Sequence, residues 1–239
     1  MAKKDYFLIL DTETTMADTV ADFGAIVVDK KGEIQTSCSV LVNGVFGHDP
    51  LFYISGEPAS SIWSGQGKDR RFDAYSEMLA NGSRMLASVT AINRWLDKAQ
   101  ATYNPILTAY NLPFDVDKCQ KTGIDLTGFT RRFCLWRAAF SKWALTKNYR
   151  NFALQCHAFN PPTKFGNMSF KTNAEIMARF ILNDPDLPDE PHTAIEDVIG
   201  YELPILQRLV NTTAKKDYLN PELSFDWRKV QVRDHFKAN

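Results

Sequence analysis

The sequence predicts an α/β fold with a central mixed sheet that begins with an antiparallel three-strand meander and is flanked by helices. Short apolar runs separated by turn residues fill the first 42 residues, and segments with helical periodicity are interleaved with strands after them. This order is typical of a layered α/β domain. At 239 residues, with 44% apolar residues, the chain can close one sizeable core.

The meander is predicted from three runs. Residues 6–10 are continuously apolar, as in a strand that is buried on both faces. Residues 25–28 form a second run, turn residues follow at 29–32, and residues 34–42 alternate roughly between apolar and polar. Residues 43–75 contain seven glycines and prolines and end in basic residues, so we predict a long functional or mobile loop there.

Helical periodicity dominates the later part of the chain. Apolar residues recur at steps of three and four over 83–100, and residues 106–110 form a fourth strand. Further helices are predicted over 114–121, 136–145, 171–182 and 193–210. We place one domain at 1–212 and a C-terminal extension of unknown role at 213–239. The basic, alternately apolar residues 227–233 of the extension suit an extra strand, a substrate contact or a partner contact.

Charge and cysteine content narrow the classes of protein. Formal net charge is zero, yet residues 126–174 contain eight basic residues, ten aromatic residues and no acid. Cations and rings together are typical of surfaces that bind single-stranded nucleic acid, although such rings also fill hydrophobic cores. The four cysteines have no spacing that indicates disulfides or zinc, and no N-terminal apolar run is long enough for a signal peptide or membrane span. We therefore expect a cytoplasmic protein without a membrane partner.

Three clusters of polar residues carry the chemistry. Asp11 and Glu13 end the first strand, Asp115 follows the fourth strand, and His192 and Asp197 flank the start of the last helix. Residues two apart on a strand point to one face, so Asp11 and Glu13 converge. Four carboxylates and one histidine are the ligand inventory of a two-metal phosphodiester hydrolase.

The last cluster contains a predicted helix start. Thr193 and Glu196 have the spacing of a capping box, in which the two side chains and the two backbone N–H groups bond reciprocally. Asp197 then lies in the first turn, and His192 remains on the loop before the helix. The alternative without a catalytic role is that His192 is only a loop residue and Asp197 is only a first-turn acid, which the helix dipole favours.

In this order, the motifs Asp11-Thr-Glu13-Thr-Thr, Asn111-Leu-Pro-Phe-Asp115 and His192-Thr-Ala-Ile-Glu-Asp197 resemble the DEDDh class of 3′–5′ exonucleases. This class has a ribonuclease-H-like fold and includes bacterial proofreading subunits, ribonuclease T and oligoribonuclease. The resemblance spans about residues 6–210. Met16 departs from the glycine that many members have after the first motif, and the 43–75 segment is a second departure.

The resemblance implies a site and a reaction. Two Mg²⁺ or Mn²⁺ ions would be held by Asp11, Glu13, Asp115 and Asp197, with His192 as general base, and the products would be nucleoside 5′-monophosphates. Crowded carboxylates predict that at least one has a raised pKa without metal. Residues expected to bind substrate are Thr12, Thr14, Thr15, Met16, Asn111, Arg131 and Arg132.

The expected partner is single-stranded DNA or RNA with a free 3′ end, and DNA is favoured. The resemblance also allows a homodimer, and a polymerase or another replication or repair protein as partner. Two alternatives use the same fold: a 3′–5′ exoribonuclease of the ribonuclease T or oligoribonuclease type, and a catalytically silent module that binds nucleic-acid ends or a polymerase.

Overall fold

A mixed six-stranded sheet is the central layer of the computed structural model, which describes residues 4–220 and 230–237. Its strands are β1 (Tyr6–Thr14), β2 (Val20–Asp29), β3 (Ile34–Val42), β4 (Met85–Ala87), β5 (Ile106–Ala109) and β6 (Arg132–Cys134). The strand order is β4-β3-β2-β1-β5-β6. β1, β2 and β3 pair antiparallel and β4 joins β3 in parallel, which confirms the predicted α/β class and the opening meander.

Helices flank the sheet, as predicted. The longer ones are α1 (Gly65–Asn81), α2 (Val89–Tyr103), α3 (Leu112–Thr122), α5 (Lys147–Gln155), α6 (Ala174–Leu182) and α8 (Leu203–Thr212). The shorter ones are α4 (Leu135–Ala139), α7 (Ala194–Asp197), α9 (Lys215–Leu219) and α10 (Val232–Lys237). Two π-helical turns, Phe140–Ala144 and Val198–Glu202, continue α4 and α7, so the predicted helices at 136–145 and 193–210 change their winding along their length.

Three local predictions were wrong. The predicted loop at 43–75 ends at residue 64, because Ser64 caps α1 by accepting a bond from the Gly67 N–H and the helix then runs through the basic residues. The predicted helix at 83–100 starts only at Val89, since residues 85–87 extend the sheet as edge strand β4. β6 and α5 were missed, because three strand residues and a short helix carry too little periodicity.

The first two strands form the centre of the core. Residues 7–10 of β1 are fully buried, and every residue of β2 is buried. This agrees with the continuous apolar runs, since a strand covered on both faces needs no polar alternation. The ends of these strands therefore provide a rigid base for side chains near Asp11 and Glu13.

The chain divides into two compact units. The first comprises Met1–Leu107, Pro113–Arg131 and Pro191–Val198. The second comprises Thr108–Leu112, Arg132–Glu190 and Ile199–Asn239. All five predicted catalytic residues belong to the first unit.

The predicted boundary at residue 212 stays a prediction, and residues 227–229 of the basic C-terminal run lie outside the described residues. Just after them, the Phe170 N–H donates to the Val230 carbonyl and the Val232 N–H donates to the Met168 carbonyl. Within the described residues, this part of the extension therefore pairs briefly with another chain segment before α10 begins. No helix in the described ranges is long and apolar enough to cross a membrane.

Gly24 on β2 allows the backbone of α7 to approach the sheet. A Cβ atom there would lie 2.4 Å from the Ile195 nitrogen and 2.5 Å from the Ala194 carbonyl carbon. We predict that Gly24→Ala lowers the free energy of unfolding by about 3 kcal/mol, the upper end of overpacking costs, because backbone atoms cannot rotate away. Gly65→Ala is the matched control, since no atom lies within 4 Å of its added Cβ. Thermal unfolding of both variants measures the difference, and equal midpoints would contradict the close approach.

Candidate functional site

Four acids and one histidine predicted from three distant clusters occur together in the first unit. Asp11 and Glu13 are two apart near the end of β1, Asp115 lies in the first turn of α3, and Asp197 ends α7. The side chains of Glu13, Asp115 and Asp197 are buried. Buried carboxylates that are not fully neutralised are costly, so their collection in one unit calls for a compensating cation or proton.

The tightest group contains the histidine. One ligand atom from each of Glu13, His192 and Asp197 lies within 4.8 Å of the other two, a spacing that can hold a metal ion. The His192 Nδ1 is 3.8 Å from Glu13 Oε1. The structure therefore brings residues 13, 192 and 197 together, as the resemblance implies, but His192 is as close to the carboxylates as a ligand would be.

Thr12, a residue of the first motif, orients the side chain of Asp115. The Thr12 hydroxyl donates to Asp115 Oδ1 at 2.9 Å, and both residues are buried. The intervening residue of the Asp-Thr-Glu motif therefore ties β1 to α3. The Thr12 hydroxyl thereby orients a predicted metal ligand, and its expected contact with substrate stays a prediction.

Electrostatic coupling links the acids. Burial and the neighbouring Asp22 carboxylate raise the pKa of Asp11 to about 7. Burial, followed by Asp11 and Asp197, raises the pKa of Glu13 well above its usual value despite the opposing guanidinium of Arg71. Burial and Asp11 raise the pKa of Asp115, against the hydrogen bond from Thr12. These directions agree with the expected raised carboxyl pKa; burial is the largest cause, and the neighbouring negative charges add to it.

The start of α7 is fixed by an acid that the motifs do not include. The fully buried Asp22, opposite Glu13 in the β1–β2 register, accepts the Ala194 N–H and the Tyr75 hydroxyl through Oδ2, each at 3.0 Å. Arg84 lies 3.5 Å from Asp22 Oδ1 and also pairs with Glu196. β2 therefore holds the helix start through a carboxylate.

The capping box was right in position and wrong in its bonds. Thr193 is the N-cap residue with extended backbone angles, but its side chain makes no capping hydrogen bond. Glu196 pairs with Arg84, 112 residues away in sequence, because a charged partner is stronger than a backbone N–H. His192 has a φ of +55°, in the left-handed region that a side chain with a Cβ rarely adopts.

The donor set suits hard divalent cations. Carboxylate oxygens are the ligands that Mg²⁺ and Mn²⁺ prefer.

Comparisons with protein-family models, curated proteins and solved structures find no match.

Several functional neighbours were missed by the sequence reasoning. These are Asp22, Trp63, Arg71, Tyr75 and Arg84, of which all but Trp63 are buried. Asp22 carried a signal, because an acid inside an otherwise apolar strand run needs a buried partner. Arg71 lies in the basic end of the 43–75 segment, which indicated function without this specific role. Trp63, Tyr75 and Arg84 carried no signal, since they approach the site only through the packing of residues 43–84.

The remaining predicted substrate residues have varied environments. Thr14 and Thr15 are buried, and the Thr15 hydroxyl shares a 2.7 Å hydrogen bond with Thr19. Met16 is 48% exposed, and its sulfur accepts the Tyr53 N–H. Arg131 bonds to the Asn104 carbonyl in the first unit.

The other two belong to the second unit: Asn111 is exposed with a φ of +77°, and Arg132 is exposed. Substrate binding by all seven residues stays a prediction.

The acid-free stretch is partly core. Half of its ten rings are buried, and these are Phe129, Phe133, Phe140, Tyr149 and Phe170. Phe165 is 77% exposed, and Lys164 lies over its ring at 5.0 Å. Half of the rings therefore belong to the hydrophobic core, and a surface for single-stranded nucleic acid in 126–174 would use only the exposed and half-buried rings.

Proposed function

We propose that this chain is a metal-dependent 3′–5′ exonuclease with a ribonuclease-H-like fold, acting on single-stranded nucleic acid, with DNA favoured, and releasing nucleoside 5′-monophosphates. One observation carries the proposal: Glu13, His192 and Asp197, 184 positions apart at the extremes, present ligand atoms within 4.8 Å of one another. The same strand supplies Asp11, and α3 supplies Asp115. The mixed sheet with its opening antiparallel meander supports the fold assignment.

The residues present fit two Mg²⁺ or Mn²⁺ ions. Asp11, Glu13, Asp115 and Asp197 would hold them, since the raised pKa values of Asp11, Glu13 and Asp115 mark a site that lacks positive charge. When bound, such ions activate a water and stabilise the leaving 3′ oxygen. Arg71 alone, 3.4 Å from Glu13, does not offset four carboxylates.

The chain's own residues have distinct tasks in this reaction. Thr12 orients Asp115, and Asp22 fixes the start of α7, which carries Asp197. His192, outside the helix and half-buried, takes the proton of the attacking water as general base. Its position beside Glu13 keeps the imidazole directed at the carboxylate cluster.

The proposal is tested with 5′-labelled single-stranded DNA and RNA, Mg²⁺, and the variants Asp115→Ala and Asp117→Ala. We expect stepwise shortening from the 3′ end, an Asp115→Ala rate lower on the order of 10³-fold, and an unchanged rate for Asp117→Ala. Asp117 is the matched control because it is exposed on the same helix and pairs with Lys118 and Lys121.

Absence of shortening on both substrates, or equal rates for the two variants, would refute the exonuclease function. Binding of 3′ ends without shortening would favour the silent module instead. The ratio of DNA and RNA rates decides the substrate.

A further inference from the structure

The segment between β3 and α1, together with the first turns of α1, reaches the catalytic cluster of the first unit. Beside the end of β1, the Met16 N–H donates to the Pro50 carbonyl at 2.9 Å and the Phe52 N–H donates to the Thr14 carbonyl at 2.8 Å. Leu51 thus forms an isolated antiparallel bridge with Thr15, just beyond the end of β1. From this anchor the chain passes to Trp63, whose ring centroid is 4.4 Å from that of His192.

His192 needs support from outside its own segment. It precedes α7, and its φ of +55° is strained for a residue with a side chain. Its carbonyl accepts the Tyr75 hydroxyl at 3.4 Å, which holds the backbone, and its imidazole lies between Glu13 and the Trp63 ring. A general base is effective only within hydrogen-bond reach of its proton, so the ring's orientation matters as much as its presence.

Trp63 is itself fixed on several sides. Its backbone N–H donates to Ser61 Oγ at 3.1 Å, and its backbone carbonyl accepts the Ile54 N–H at 2.7 Å. The Phe52 ring meets the indole edge-on with centroids 6.0 Å apart.

The Arg71 guanidinium lies 4.8 Å from the indole centroid and is only 3% exposed. It binds the Phe52 carbonyl and lies 3.4 Å from Glu13 Oε2. The contacts therefore form a closed circuit that joins Arg71, Trp63, His192 and Glu13.

We infer that Trp63 is a positioning residue for His192, which makes the 50–71 segment part of the active site. The inference rests on the proposed function, because it assigns Trp63 a task in that reaction. The indole forms a wall against one side of the imidazole, tilted 55° from the plane of that ring, while Glu13 lies at Nδ1. Without that wall the imidazole keeps its backbone support and loses its fixed orientation.

The kinetic test uses Trp63→Ala, Trp63→Phe and the control Trp95→Ala, whose indole on α2 donates to Thr36 away from the cluster. We expect Trp63→Ala to lower kcat about 10²-fold, the usual contribution of a general base, with KM within about threefold. Trp63→Phe, which keeps a flat ring, restores kcat to within about threefold of wild type, and Trp95→Ala leaves it unchanged. A kcat for Trp63→Ala near wild type, or a raised KM with unchanged kcat, would overturn the inference.

A second readout does not depend on activity. The ring current of the nearby indole shifts the His192 ring protons in the NMR spectrum, and His192→Gln assigns them. We expect this shift to disappear in Trp63→Ala; an unchanged shift would also overturn the inference. If Trp63→Ala unfolds at the assay temperature, Trp63→Leu fills the volume without a ring and replaces it.

The two proposals fail in different ways. An inactive wild-type chain would refute the exonuclease function, whatever the variants of Trp63 show. An active wild-type chain with active Trp63→Ala would leave that function intact and remove Trp63 from it.

Discussion

Glu13→Gln is expected to reduce turnover on the order of 10³–10⁴-fold and to weaken Mn²⁺ binding. Three site residues approach Glu13: His192 at Oε1, Arg71 at Oε2, and Asp197 within the same 4.8 Å group. Glutamine preserves the volume and removes the charge that a divalent cation requires. Loss of this charge should weaken stabilisation of the transition state rather than the affinity for substrate.

Single-turnover rates on labelled DNA and Mn²⁺ titration followed by calorimetry measure both effects. Glu33→Gln, an exposed change in the turn before β3, serves as the control. Turnover by Glu13→Gln within tenfold of wild type would place the reacting group elsewhere. Unchanged Mn²⁺ affinity with lost turnover would assign Glu13 to the chemistry and not to the metal.

The second large effect concerns the stability of the metal-free protein. Because the pKa of Asp11 rises from 3.8 to about 7 on folding, the folded state holds a proton that the unfolded state has released. Stability from this group is therefore intact below pH 4 and is lost as pH rises to about 7. The loss is on the order of 4 kcal/mol at most, at about 1.4 kcal/mol for each pKa unit.

Unfolding in urea with a chelator present, between pH 4 and pH 8, measures this loss. Asp11→Asn should flatten the decline, because it removes the charge, whereas Asp49→Asn, on an exposed site, should not. Adding Mg²⁺ to the wild-type protein above pH 7 should recover the stability. A parallel pH profile for Asp11→Asn and wild type would contradict the raised pKa of Asp11.

The sequence predicted the strands of the core more accurately than the elements around it. β1 and β2 are buried on both faces, so their continuous apolar runs have one interpretation. Residues 83–88 show how a short pattern misleads: the apolar Met85 and Leu86 continue the helical periodicity of α2, yet they pair with β3 as an edge strand. A segment of only six residues contains no pattern that predicts its pairing with a strand far away in the sequence.

The sequence by itself determined which chemical groups are available: two acids on one strand face, one in the first turn of α3, and a histidine before a helix that carries the fourth acid. These follow from local periodicity and cap residues, which act over a few positions.

Only the tertiary structure decided what surrounds them. Asp22 rather than a capping box holds the start of α7, and Trp63 and Arg71 reach His192 and Glu13 from a segment whose sequence reads as a loop. The physical reason is that burial and charge pairing depend on residues far apart in the chain, whose proximity exists only after folding.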